Sequence, residues 1–174
     1  GGSPFTLISV GIGGAPANGQ SYNPTVDSSG TKVVFESVAS NLVPGDTNGT
    51  SDVFLRDVTA GTTTRINLLA DGGQASGTAG GAMISGDGRF VIYLTDQPAV
   101  VPDVNGAIPD VILYNVATGT RTLGMPRHNA NSGEFGSLRI SSDGRFIGWN
   151  VRAPNYVAGV TTSEYRGYLY DQQT

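Results

Sequence analysis

The sequence contains an internal repeat that occurs three times at nearly constant intervals, and no other feature limits its fold as strongly. A turn rich in Ser, Asp and Gly precedes an apolar run three times, with its glycine at Gly30, Gly88 and Gly144. A second run follows in each unit, at Asp52–Asp57, Asp110–Asn115 and 167–171. Such long repeats indicate supersecondary units that bury their apolar faces against one another.

Each unit contains four segments that are typical of short strands separated by turns. In the first unit they are residues 25–26, 33–35, 52–57 and 64–68. The chain reads as all-β, because 26 of its 174 residues are glycine and no helical periodicity is present. A repeated four-stranded antiparallel unit is typical of a propeller blade, and a β-sandwich is the alternative.

We therefore predict an all-β arc of three blades. The predicted blades cover residues 20–77, 78–134 and 135–174, and the third lacks its fourth strand. Residues 1–19 are predicted to hold a strand that completes a blade of another arc, because Ile8 and Ile66 lie one full repeat apart. Since closed propellers need about four to eight blades, we expect a ring of about six blades from two chains. A different partner, a longer parent chain and an open arrangement are the alternatives.

Residues 39–57, with the turn residues 61–65, resemble the TolB-type (WD40-like) propeller repeat of bacterial secreted and periplasmic proteins. The resemblance extends to the second unit and, in the third, to strands two and three. It implies a β-propeller that serves mainly in binding and assembly, and sometimes as a gating domain beside a peptidase. It also implies a secreted or periplasmic location, but no particular reaction.

Two loops before third strands carry side-chain oxygens at closely spaced positions, with a glycine that permits a tight reversal. The candidate cation ligands are Asp46, Asn48 and Asp52 in the first unit and Asp103, Asn105 and Asp110 in the second. Calcium is the candidate cation, because it prefers oxygen ligands from short loops. Neither loop ends in a bidentate glutamate, and the alternative is that these side chains only stabilise turns.

No combination of residues predicts a catalytic centre. His128 is the only histidine, no Gly-x-Ser-x-Gly motif is present, and the chain has no cysteine. Glu36 lies on an apolar strand, but its spacing from other acids does not indicate a glycosidase pair. Tyr168 and Tyr170 alternate onto one face, where packing between blades and a sugar-stacking surface are the two alternatives.

The net charge of −4 and the scattered basic residues argue against a nucleic-acid ligand. No apolar run has the length of about 20 residues that a membrane span needs. We therefore expect a non-catalytic module that binds a protein or glycan ligand, or assembles into a homo-oligomer or with another propeller segment through its N-terminal strand. The alternatives are a propeller fragment of an enzyme, as a peptidase gate or polysaccharide-acting scaffold, and a lectin-like sugar binder.

Overall fold

The first blade is a complete four-stranded antiparallel sheet. The computed structural model describes residues 4–97, 100–101, 109–125, 134–152, 159–161 and 164–173. The sheet follows the chain in the order β1-β2-β3-β4. Its strands are β1 (Ser21–Val26), β2 (Lys32–Ser37), β3 (Asp52–Asp57) and β4 (Thr62–Arg65).

The other two blades repeat this order. Blade 2 contains β5 (Ala79–Ile84), β6 (Phe90–Thr95), β7 (Asp110–Asn115) and β8 (Arg121–Leu123). Blade 3 contains β9 (Glu134–Ile140), β10 (Phe146–Arg152) and β11 (Arg166–Asp171), in the order β9-β10-β11. The prediction of three antiparallel blades in an all-β chain is confirmed, and in the described residues blade 3 has three strands. None of the described residues forms a helix that is long and apolar enough to cross a membrane.

The fourth strand of blade 1 is shifted from its predicted position. It spans Thr62–Arg65 rather than residues 64–68. Ile66 N still donates to Val53 O at 3.0 Å, but the next ladder position is taken by a side chain, because Asn67 Oδ1 accepts from Val53 N at 3.0 Å. A polar side chain that competes for backbone groups thus ends the strand.

The turn between the first two strands contains a hydrogen bond from a serine hydroxyl to an aspartate in both blade 1 and blade 2. The two residue types exchange positions between the blades. In blade 1, Ser29 Oγ donates to Asp27 Oδ2 at 2.6 Å, and Thr31 N donates to Asp27 Oδ1 at 2.9 Å. In blade 2, Ser85 Oγ donates to Asp87 Oδ1 at 2.6 Å. Burial raises the pKa of Asp27 and of Asp87, but hydrogen bonds from the serine hydroxyl and from backbone N–H groups outweigh it and hold each pKa below its ordinary value.

The core lies between neighbouring blades. One cluster between blades 1 and 2 includes the buried residues Val34, Leu55, Val91, Tyr93 and Ile112. A second, between blades 2 and 3, includes Ile92, Val111, Leu138 and Ile147. Because side chains alternate along a strand, the middle blade buries both faces of its sheet.

Candidate functional site

The predicted cation ligands of the first loop lie together beside β3. Asp52 is the first residue of β3 and is 1% exposed, and Asp46 is 9% exposed. Asn48 Nδ2 donates to both carboxylate oxygens of Asp52, at 3.3 and 3.1 Å, and to Ala75 O at 3.0 Å. The loop therefore brings the buried Asp46 and Asp52 and the half-buried Asn48 into one polar cluster.

Arg65 at the end of β4 is the cation of this cluster in the described residues. Its Nη1 lies 3.3 Å from Asp46 Oδ1 and 3.3 Å from Asp52 Oδ2. Asn67 Nδ2 donates to Asp52 Oδ1 at 2.6 Å. Burial raises the pKa of Asp46 above its ordinary value, the Asp52 charge raises it further, and Arg65 acts in the opposite direction. Two carboxylates thus share one guanidinium. The sequence analysis did not identify Arg65 as part of this site.

The second predicted loop is only partly described. Asp103 and Asn105 lie outside the described residues, and Asp110 begins β7, where it is half-buried. The equivalent of Asp52 in blade 3 is Arg166. Asp57 and Asp171 each pair with the first residue of the second strand of their blade, and Asp52 and Arg166 are the first residues of the strands that these two aspartates end. Among the described residues, no group of three or more His, Asp or Glu side chains that could hold a metal ion is found. Calcium binding by these loops stays a prediction.

The residues considered for catalysis form no cluster among the described residues, and some of them lie outside those residues. His128 lies outside the described residues, and the side chain of Glu134 is not described. Glu164 is exposed, and its Oε2 lies 3.8 Å from Arg166 Nη2.

The two tyrosines that alternate onto one face of β11 pack against other side chains. Tyr168 stacks on Trp149, with ring centroids 5.7 Å apart, and Tyr170 packs against the cluster between blades 2 and 3. Both tyrosines therefore contribute to packing inside the arc.

A groove of about 310 Å³ follows the first strands of all three blades. Each of these strands is irregular beside the groove, with register shifts between Tyr22 and Thr25 and between Gly80 and Met83, and a third in β9. Such bulges redirect side chains and backbone groups out of the ladder. The lining includes Asn23, Thr25, Glu36, Met83, Ser137 and Arg139.

Glu36 is the carboxylate of this groove. It is 5% exposed and extends from blade 1 to the bulge of blade 2, where its Oε1 accepts from Gly81 N at 2.9 Å and from Ala82 N at 3.4 Å. Asn23 Nδ2 donates to its Oε2 at 3.3 Å. A Cβ on residue 80 would lie 3.1 Å from Oε2, so Gly80 permits this close approach. Sequence reasoning considered Glu36 only as half of a carboxylate pair.

The N-terminal segment repeats the structure that follows β4. Val10 forms an isolated bridge with Pro16, and Leu68 forms the same bridge with Gln74 one repeat later. The hydrogen bond from Gly11 N to Ala15 O likewise matches that from Leu69 N to Gly73 O. Residues 4–7 therefore occupy the register of β4. They lie outside any strand of the described residues, although the sequence analysis predicts a strand here, because no third strand adjoins them.

The two ends of the arc differ in how they are covered: the outer face of blade 1 is packed, whereas β11 of blade 3 is open. Phe35 and Phe54 stack with centroids 5.7 Å apart on the outer face of blade 1, and Ile8 and Ala17 pack against them. On β11, Leu169 is 73% exposed, and the edge away from β10 pairs with no strand in the described residues. Three blades with one covered and one open end define a segment of a β-propeller.

Comparison with known proteins supports this fold. The chain matches no family model and no curated protein sequence. TolB from Acinetobacter baumannii is similar in structure, with a TM-score of 0.54 and 18% identity over 91% of this chain and 31% of that chain. The β-propeller domain of the Trilobed protease from Pyrococcus furiosus, described as having an open velcro topology, gives a TM-score of 0.50 and 10% identity over 86% of this chain and 43% of that chain.

An enzyme structure is similar to the same extent. Oligogalacturonate lyase from Vibrio parahaemolyticus gives a TM-score of 0.52 and 13% identity over 83% of this chain and 35% of that chain. The chain thus spans less than half of each of these three proteins. At such low identities the similarity shows the fold alone, which is that of a TolB-type β-propeller segment.

Proposed function

We propose that the chain is a non-catalytic, secreted or periplasmic β-propeller module for binding or assembly, completed by strand exchange with a second copy. One observation carries the proposal: residues 4–7 have the register of a fourth strand without a third strand beside them, and β11 is a third strand without a described fourth. The location is supported by the resemblance of the repeats to secreted and periplasmic propeller proteins. The non-catalytic role is supported by the single histidine and the absence of cysteine.

The N-terminal segment and the open edge of β11 match in register. Leu55 of β3 pairs with Thr64 of β4. Leu169 is the equivalent of Leu55, and Thr6 holds the position of Thr64 one repeat earlier, so the exchanged pair is Leu169 with Thr6 of another copy. Antiparallel addition of this segment would give β11 the ladder that β4 gives β3.

Exposed apolar side chains also support exchange. Phe5 is 86% exposed, Leu7 is 55% exposed and Leu169 is 73% exposed. An open strand edge with apolar neighbours promotes association, and pairing removes both the edge and the exposed surface. Two arcs of three blades would form a ring of about six, within the range of about four to eight blades that close.

Light scattering on the intact chain tests the assembly. We expect a particle of about twice the chain mass of 17.9 kDa. A folded particle that stays at 17.9 kDa at micromolar concentrations, with a melting transition, would contradict exchange between copies.

Cysteine pairing tests the register. The chain has no native thiol, so Thr6→Cys combined with Leu169→Cys introduces the only reactive pair. Paired residues lie about 4.5–5.5 Å apart between Cα atoms, within the range that a disulfide bridges. Mild oxidation should give a covalent dimer. The matched control is Thr6→Cys with Gln173→Cys, which moves one thiol beyond the end of β11 and should stay largely uncrosslinked.

Two alternatives are separated by the same experiments. A neighbouring segment of a longer parent chain could supply the missing strands, in which case residues 1–174 alone would not form the covalent dimer. A propeller segment of an enzyme is the second candidate function, supported by similarity to the protease propeller domain and the lyase. Assay of the parent protein for hydrolysis of peptides and cleavage of oligogalacturonate tests that candidate.

Calcium at the first loop is a secondary part of the proposal. Asp46, Asn48 and Asp52 supply oxygen atoms, and the pair of carboxylates carries one more charge than Arg65 neutralises. Binding to the folded state alone must raise the melting temperature. Identical melting curves in calcium and in chelator would remove the metal from the proposal.

A further inference from the structure

Glu36 is a buried carboxylate that forms no ion pair among the described residues. Its three hydrogen-bond donors are the neutral groups Asn23 Nδ2, Gly81 N and Ala82 N. In the part of the chain that the structure describes, no Arg or Lys group lies within ion-pair distance of Glu36. A carboxylate taken out of water is costly unless its charge is compensated, and charged partners compensate it best. The site therefore has an unmet preference for a positive group.

The groove beside Glu36 provides access and shape for a ligand. Its volume of about 310 Å³ is at the small end of the range for small-molecule sites. Pro24, Met83 and Leu138 supply apolar wall, and Glu36 is the carboxylate among the described lining residues. An aliphatic chain with one charged end fits this combination of surfaces.

The occupancy of the two carboxylate oxygens selects the kind of cation. Oε1 already accepts two backbone N–H groups, whereas Oε2 accepts one long bond from Asn23. A guanidinium prefers both oxygens at once, in a bidentate fork, which the occupied Oε1 obstructs. A divalent metal requires several oxygen ligands, and the described lining offers one carboxylate. An ammonium group needs only one strong acceptor and disperses its other donors to neutral oxygens.

We propose that this groove binds an alkylammonium group through Glu36 Oε2, with the alkyl chain along Met83 and Leu138. The ammonium is carried either by a small amine or by a lysine side chain, which present the same chemistry. The site lies within one copy of the three-blade arc, so its occupancy does not depend on strand exchange.

Titration with defined amines tests the site. The probes are cadaverine and Nα-acetyl-lysine amide, added at constant ionic strength while the amide chemical shifts of Gly81 and Ala82 are followed by NMR. We expect saturable shifts with millimolar dissociation constants, because one charge-assisted hydrogen bond contributes modestly. Tetramethylammonium, which has the charge but no N–H donor, should give weaker shifts. A preference for the lysine derivative assigns a protein partner, and a preference for cadaverine assigns a small amine.

Variants make the result specific to Glu36. Glu36→Gln keeps an acceptor for Gly81 N and should weaken amine binding about tenfold or more. Asp71→Asn makes the same charge change on an exposed loop and should leave binding unchanged. Arg139→Gln removes the cation that lines the same groove and should tighten binding severalfold.

Three results would overturn the proposal. They are equal shifts with tetramethylammonium, equal affinity in Glu36→Gln, and unchanged affinity in Arg139→Gln. The last remains decisive if Glu36→Gln fails to fold, because Arg139 is exposed and its replacement leaves the core intact. Light scattering on the same samples reports the assembly state separately, so failure of this site and failure of strand exchange are distinguishable.

Discussion

Blades 1 and 3 place the same repeat position in opposite environments. Leu55 of β3 is 8% exposed, whereas its equivalent Leu169 of β11 is 73% exposed. Leu55 is covered by blade 2, while the described residues contain no blade against the corresponding face of blade 3. The burial of a strand in this fold is therefore set by the neighbouring blade rather than by its own sequence, as expected of repeats that contact mainly their neighbours.

The polar position at the start of the third strand differs in the same way. Asp52 is buried and bonded to Arg65, Asn48 and Asn67. Its equivalent Arg166 is exposed, and Arg166 Nη2 lies 3.8 Å from Glu164 Oε2. The complete blade thus contains a buried charge cluster where the open blade has a surface ion pair.

The largest expected effect comes from breaking this cluster. Asp52→Ala leaves Arg65 buried with only Asp46 and removes the acceptor of Asn67 Nδ2, so we expect it to lower the free energy of unfolding by about 3–5 kcal/mol. Arg166→Ala is the matched control and should change it by less than about 0.5 kcal/mol, because exposed ion pairs contribute little. Urea unfolding measures both. Similar losses in the two variants would show that blade 3 is as buried as blade 1.

The second expected effect compares the two equivalent leucines. Leu55→Ala creates a cavity between blades 1 and 2 and should cost about 2–5 kcal/mol. Leu169→Ala should leave the unfolding free energy of the dissociated chain within about 0.5 kcal/mol. It should instead weaken assembly at least tenfold, which light scattering over a dilution series measures. An unchanged dissociation constant would mean that Leu169 does not face another copy.

Features that depend on local sequence were predicted correctly. The three glycine turns and the strands that flank them follow from turn chemistry and alternation, which act over a few residues. The order of strands within each blade then follows because consecutive strands are usually neighbours in a sheet, even where a longer connection joins them, as between β2 and β3. Gly30, Gly88 and Gly144 all have positive φ, between 70° and 76°.

Features that depend on contacts between distant residues were missed. Arg65 meets Asp46 and Asp52 because the β3–β4 hairpin returns the chain to the start of β3. Glu36 meets Gly81 across a blade interface, far along the chain. The hairpin register, read from the turn at Gly61, was a signal that could have placed Arg65 near Asp52. For Glu36 the signal was weaker, a glycine pair in the first strand of the next unit.

The third effect sharpens the comparison at the turns. Gly30 in blade 1 and Gly144 in blade 3 have φ of +71° and +76°. A Cβ on residue 30 would meet nothing within 4 Å, whereas a Cβ on residue 144 would overlap with Cδ2 of the Phe90 ring in blade 2. Gly30→Ala should therefore cost only the backbone term of about 1–2 kcal/mol, and Gly144→Ala more than that. Equal losses in thermal unfolding would indicate that the turn of blade 3 does not pack against blade 2.

The smallest expected effect is a difference in pH dependence between two buried aspartates of blade 1. The pKa of Asp27 is lowered on folding, because hydrogen bonds from Ser29 and backbone N–H groups outweigh burial. Its stabilising contribution is therefore present above the unfolded pKa and is lost as the pH falls through the folded value. The pKa of Asp46 is raised, by burial first and by Asp52 second. Its contribution is therefore present at low pH and is lost as the pH rises through the folded value.

The opposite pH dependences of the two stability contributions can be separated with Asp27→Asn and Asp46→Asn. Each variant removes one titrating carboxyl group and keeps the shape of the side chain. As the pH falls from neutral into the acid range, the stability of the wild type relative to Asp27→Asn should fall, and its stability relative to Asp46→Asn should rise. Urea unfolding at closely spaced pH values measures both differences. Parallel slopes would mean that the pKa of Asp46 is not raised on folding, because the attraction of Arg65 then outweighs burial and the repulsion by Asp52 at this carboxyl group.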